Sequence, residues 1–83
     1  MQHIHFIGIG GTGLSAIAKV LLEQGYQVSG SDLMSSPLFE AVEQAGGSVF
    51  VGHRAENILG ADLVIRSSAV PDDNQEVQAA LQA

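Results

Sequence analysis

The stretch Gly8-Ile9-Gly10-Gly11-Thr12-Gly13-Leu14-Ser15 constrains this chain more than any other part of it. An apolar run, Ile4 to Ile9, leads in. Apolar residues at helical spacing (Leu14, Ile17, Ala18, Leu21, Leu22) lead out, over Thr12 to Gln24. A strand that turns through glycines into a helix leaves the helix's first N–H groups without intrahelical partners. Those groups, and the positive end of the helix dipole, point at whatever lies above the turn. Glycine keeps side chains from blocking that approach. The segment commits the chain to start as a strand–helix unit and offers a cradle for a phosphate-bearing ligand. The competing reading is a tight turn whose glycines serve packing alone.

The same alternation continues. Gly25 ends the first helix, and Tyr26 to Ser31 reads as a second strand. Ser35-Ser36-Pro37 is a helix start, with Leu38, Val42 and Ala45 on one face and Gly46-Gly47 at the end. Ser48 to Val51 is a third strand, Gly52-His53-Arg54 a loop, and Ala55 to Leu59 a short helical turn. Asp62 to Ser67 is a fourth strand, whose run Leu63-Val64-Ile65 calls for cover on both faces. Val70 to Asp73 is a polar loop, and a last helix starts near Asn74 with Val77, Ala80 and Leu81 on one face. Strands alternating with helices predict an α/β fold: a Rossmann-like parallel sheet of about four or five strands with helices on both faces. At 83 residues this is one small domain.

In such sheets ligands bind at the carboxyl ends of the strands, here Gly8–Gly13, Gly30–Leu33, Val51–His53 and Ser67–Ala69. Gly8, Gly10 and Gly13 fit a G-x-G-x-x-G pattern, and Asp32 follows at about the 20-residue distance expected of a ribose-binding acid. Asp32 would accept from ribose hydroxyls or a base N–H and repel a 2′-phosphate; the alternative is a surface carboxylate. Thr12 and Ser15 offer hydroxyl donors beside the loop. His53 is either a ligand contact on the rim or a solvated loop residue. Ser67-Ser68-Ala69 gives small side chains and backbone donors there, or is an ordinary strand exit. His3 and His5 alternate on the first strand, with no metal partner nearby in sequence, and read as caps on a sheet edge. Asp72, Asp73 and Glu76 surround the start of the last helix, where negative charge suits the dipole.

Composition narrows the ligand. The formal charge is −6, and the three Lys and Arg residues, Lys19, Arg54 and Arg66, do not cluster. Nucleic acid is not the expected partner, and an anion must be held by backbone N–H groups. The chain has no cysteine, hence no thiolate metal site or thiol nucleophile. No apolar run reaches membrane-spanning length, and the N-terminal residues lack the pattern of a signal peptide, so a cytoplasmic location is expected. No G-x-x-x-x-G-K-[ST] loop, no nucleophile elbow and no carboxylate pair with an evident role occur. No catalytic residue and no ATP-driven activity are expected from these residues alone.

Four ordered motifs together carry a resemblance: His5 through Ser15, Val28-Ser29-Gly30-Ser31-Asp32, Gly52-His53, and Ser67-Ser68-Ala69-Val70 through Asn74 and Glu76. Over essentially its whole length the chain resembles the N-terminal domain of the Mur ligase family, in particular the branch that adds L-alanine in peptidoglycan synthesis. Thr12 stands where an aliphatic residue is usual and Leu14 where methionine is usual. The resemblance implies a single UDP-sugar-binding domain over 1–83, with the central ATP-binding and C-terminal domains of a three-domain ligase lying outside it. It implies UDP-N-acetylmuramic acid as the partner, ATP and Mg2+ as requirements of the whole enzyme rather than of this domain, and no catalysis by this domain alone. It also implies site roles: Gly10, Gly11, Thr12, Gly13, Leu14 and Ser15 on the diphosphate; Ser31, Asp32 and Leu33 facing the uridine; His53 along the nucleotide; Ser67, Ser68 and Ala69 flanking the diphosphate and sugar. Two rivals remain open. One is an NAD-binding module of a dehydrogenase or ligand-sensing regulator, though a full dinucleotide site uses two halves and this chain has little beyond one. The other is a Mur-type peptide-recycling ligase.

Overall fold

The computed structural model describes residues 2–83. Four strands, β1 (His3–Ile7), β2 (Gln27–Asp32), β3 (Ser48–Val51) and β4 (Leu63–Arg66), form one parallel sheet in the order β3-β2-β1-β4. Helices α1 (Thr12–Glu23), α2 (Pro37–Gln44) and α3 (Gln75–Gln82), with a 3-10 turn at Ala55–Ile58, complete the chain. Parallel neighbours need crossovers, and the helical segments supply them. Ser36 caps α2 by accepting from the Phe39 N–H, with Pro37 in the first turn. Asn74 caps α3, accepting from the Glu76 and Val77 N–H groups.

Register decides what each face of the sheet carries. Ile4 lies beside Val28, and Phe6 beside Gly30 and Ile65. This face packs α1 and α2 into a core of Ile4, Phe6, Ile9, Ala18, Val28, Phe39 and Val42. Gly30 is required there, because a Cβ would stand 2.6 Å from that of Ile9. On the other face His5 lies beside Ser29 and Ile7 beside Ser31. Ile7 joins Val70 and Val77 in a smaller apolar cluster under α3, and the remainder of that face is polar.

Two expectations are corrected. His3 and His5 do not cap a sheet edge: β1 is an inner strand, and His5 is fully buried. The run Leu63-Val64-Ile65 is not covered on both faces. β4 lies at the sheet's edge, and Leu63 is 51% exposed. An apolar groove of about 650 Å³ runs beside it between β4, α3 and the 3-10 turn. Its lining is mostly apolar, with Asp62 and Arg66 as its charged residues, whereas the carboxyl ends of the strands gather several polar groups.

Candidate functional site

The glycine turn is pinned at both ends. Ser31 O accepts from the N–H groups of Gly8 and Ile9 at 2.8 and 2.9 Å, which ties the turn to the end of β2. Gly8 has φ +93°, a conformation that L side chains rarely adopt. The Gly10 N–H donates to Asp32 Oδ2 at 2.9 Å, while Asp32 Oδ1 accepts from the Leu33 N–H at 2.8 Å. A Cβ on Gly10 would stand 2.8 Å from Asp32 Oδ2; glycine here lets the carboxylate close onto the loop. Gly11 N–H bonds to Gly8 O, and Ser15 N–H to Gly11 O. Gly11 is the N-cap of helix α1, which has no side-chain cap and no acid in its first turn. Among the described residues, the N–H groups of Thr12, Gly13 and Leu14 donate to no protein acceptor. Unpaired N–H groups at an uncapped helix start are able to donate to an anion.

Beside the turn lies a cleft of about 470 Å³. It brings together the expected residues Gly10, Gly11, Asp32, Leu33, His53, Ser67 and Ala69, which come from four separate segments. Gly8, Val70, Pro71 and Asn74 complete its lining. Thr12, Gly13, Leu14 and Ser68 lie outside that lining, the first three at the open helix start. Two expected contacts need correction. Ser31 is fully buried and has no surface to offer a uridine. Ser15 is 2% exposed, and its hydroxyl donates to Thr12 O rather than to a ligand.

Glu76 also departs from expectation. It does sit in the first turn of α3, but it is fully buried, and Asn74 does the capping. Its Oε1 accepts from His5 Nε2 at 2.6 Å and Ser31 Oγ at 2.7 Å. Its Oε2 accepts from the Arg54 N–H at 3.0 Å and Asn57 Nδ2 at 2.9 Å. Burial pushes its pKa up, but the bonds from His5, Asn57, Ser31 and the Arg54 backbone outweigh burial and hold it at about 2, below its ordinary 4.5. The network extends outward on both sides. His5 Nδ1 meets Ser29 Oγ at 2.6 Å, and Ser29 Oγ meets His3 Nε2 at 2.7 Å. Ser31 Oγ meets His53 Nδ1 at 2.8 Å, with Glu76 Oε2 3.5 Å from the same nitrogen. No buried side-chain polar atom among the described residues lacks a partner. Asp72, by contrast, stays at the surface and pairs with Arg66 at 2.7 Å.

A family model, Mur ligase family, catalytic domain, matches residues 3–83. The chain belongs to the Mur ligase family. Among curated Mur ligases, the UDP-N-acetylmuramate–L-alanine ligase of Syntrophobacter fumaroxidans is 56% identical over 79 residues, which are 95% of this chain and 17% of that protein. The enzyme of the same name from Geotalea uraniireducens is 52% identical over 82 residues, 99% of this chain and 18% of that protein. The crystal structure of a UDP-N-acetylmuramate-alanine ligase from Thermotoga maritima matches with a TM-score of 0.92 at 39% identity, over 99% of this chain and 19% of that one. A murein peptide ligase from Psychrobacter arcticus matches with 0.88 at 30% identity, over 99% of this chain and 18% of that one. The chain therefore spans less than a fifth of these relatives. The Mur ligase fold here is the expected parallel α/β sheet, with four strands.

Proposed function

We propose that residues 1–83 form the domain that holds the UDP portion of UDP-N-acetylmuramic acid in a ligase that adds L-alanine to it in peptidoglycan synthesis. The observation that carries this reading is the open start of α1 beside the Asp32 rim: unpaired N–H groups of Thr12, Gly13 and Leu14, with no cap and no basic side chain in the first turn. Each hydrogen bond from such a group to a charged phosphate oxygen contributes about 1.5–3 kcal/mol. Two or three hold a diphosphate without lysine. Asp32 and Leu33 then face the uridine, His53 lies along the nucleotide, and Ser67, Ser68 and Ala69 flank the diphosphate and sugar. Relatives named as L-alanine ligases at 52–56% identity support this substrate over a dinucleotide.

The remaining domains of the parent enzyme are the partners of this one in the cytoplasm. ATP and Mg2+ belong to them. The residues here do not fit those groups: the sequence has no P-loop, and among the described residues no three His, Asp or Glu side chains gather as a metal site. No chemical step is assigned to this chain.

Separate titrations with UDP-N-acetylmuramic acid, UDP and NAD, followed by backbone amide shifts, test the proposal. Both uridine ligands should move the amides of Gly11 to Ser15 and those around Asp32. Tighter binding of NAD than of UDP at those amides would overturn it.

A further inference from the structure

The polar network under α3 reaches the cleft at one point, the imidazole of His53, and its hydrogen inventory fixes what that ring can do. Glu76 is a carboxylate and can only accept. Its Oε1 takes the hydrogens of His5 Nε2 and Ser31 Oγ. Ser31 has one hydroxyl hydrogen, and it is spent on Glu76. Toward His53 its oxygen can therefore only accept, so the hydrogen of the 2.8 Å contact belongs to His53 Nδ1. Glu76 Oε2, 3.5 Å away, favours a hydrogen on the same nitrogen. The ring's other nitrogen, Nε2, has no protein partner among the described residues, while the ring lines the cleft.

We propose that Glu76 is a positioning residue: through Ser31 it fixes His53 as the Nδ1–H tautomer, so that Nε2 meets the bound nucleotide as a hydrogen-bond acceptor. This rests on the nucleotide-binding reading and deepens it. An acceptor at Nε2 selects a ligand hydroxyl or imide N–H. It does not match a phosphate oxygen, which offers no hydrogen. Within one cleft, the start of α1 takes the anionic part of the ligand and His53 a hydrogen-bearing part.

Glu76→Gln tests this while keeping the side chain's shape. The new NH2 group must lie on either the Oε1 or the Oε2 side. On the Oε2 side it would face the Arg54 backbone N–H, which cannot reverse its role. On the Oε1 side both partners can reverse: His5 by changing tautomer and Ser31 by rotating its hydroxyl. The amide nitrogen therefore takes that side, Ser31 turns its hydrogen to His53 Nδ1, and His53 becomes the Nε2–H tautomer. Long-range 1H–15N correlation of the imidazole rings at neutral pH, without nucleotide, reads the tautomer directly. The expected result is Nδ1–H in the parent chain and Nε2–H in Glu76→Gln. UDP should bind about tenfold more weakly to the variant, while pyrophosphate binding should not fall.

An Nε2–H or doubly protonated His53 in the parent chain would overturn the proposal, even if the variant failed to fold. So would an unchanged tautomer in Glu76→Gln, or equal weakening of UDP and pyrophosphate, which would mean that Glu76 merely holds the cleft together. Failure of UDP to bind the parent chain would overturn the nucleotide reading instead, and the ring-nitrogen result would distinguish the two.

Discussion

Gly13 separates a glycine kept for packing from one kept for a ligand. Its φ lies outside the left-handed region, and a Cβ built on it meets nothing within 4 Å. It occupies the second position of α1, exposed, with its N–H unpaired. Nothing in the protein therefore requires glycine at this position. Gly13→Ala removes backbone freedom from the unfolded chain at a site whose native geometry alanine accepts, which stabilises by about 0.4–1 kcal/mol. In a domain of this size that raises Tm by roughly 2–8 °C. The added methyl group occupies space that a diphosphate needs in order to reach the N–H groups of Thr12, Gly13 and Leu14. Loss of one charge-assisted hydrogen bond costs about 1.5–3 kcal/mol, so UDP affinity should fall more than about tenfold. Thermal unfolding without ligand and calorimetric titration with UDP measure the two effects on the same sample. A lower Tm for Gly13→Ala would reveal a packing role for the glycine, and UDP binding the variant as tightly as the parent would remove Gly13 from the ligand's path.

Three further outcomes follow from the same geometry. Gly30→Ala should destabilise by about 1–3 kcal/mol in urea unfolding, because its Cβ would stand 2.6 Å from that of Ile9 inside the packed face. Asp32→Ala should leave a folded chain that is about 1–3 kcal/mol less stable, since the Gly10 and Leu33 N–H groups lose their acceptor; it should also weaken UDP binding, and unchanged affinity in titration would remove Asp32 from the site. Glu76 has a folded pKa of about 2 against an ordinary 4.5, so its contribution is complete above pH 4.5 and is lost as pH falls toward 2. That contribution is about 3 kcal/mol, and unfolding free energies from urea titrations across this window should fall for the parent chain by about that much more than for Glu76→Gln.

The parts of this fold that could be read in the sequence are those set by neighbouring residues. The glycine turn, the Ser36-Pro37 helix start and the strand Ser48–Val51 all rest on local chemistry, and the structure places them within a residue or two of expectation. The cleft was legible because strand ends in a parallel sheet share one rim. The Glu76 network was not, because its bonds join His5 to residue 76 and Ser31 to both 53 and 76. No periodic signal spans such separations. One local clue did exist: inner strands of parallel sheets normally read as continuous apolar runs, yet His3 and His5 alternate along β1, and Ser29 and Ser31 along β2. Polar residues at every second position of two paired inner strands mark a buried polar layer that requires a partner from across the sheet. The exposure of Leu63 could not be read from its own run, since it depends on β4 being an edge.

That polar layer explains how the two sheet faces divide their work. The face under α1 and α2 is apolar, and interdigitated side chains there supply stability without directional demands. The face under α3 sets directions. Glu76 receives one hydrogen from β1, one from β2, one from the backbone after β3 and one from the 3-10 turn. Each donor has a narrow angular range, so the first turn of α3 cannot slide relative to the strand ends without leaving a buried donor unpaired, at about 1–3 kcal/mol each. The segments fixed in this way, at Asn74, Ser31 and His53, border or underlie the cleft. An apolar residue at position 76 could pack against Ile7 and Val77 and escape the desolvation of a carboxylate, a substitution that is often neutral or stabilising when all partners change together. It would leave His53 free to take either tautomer. The buried carboxylate is thus better explained by the orientation it imposes on the rim than by any net gain in stability.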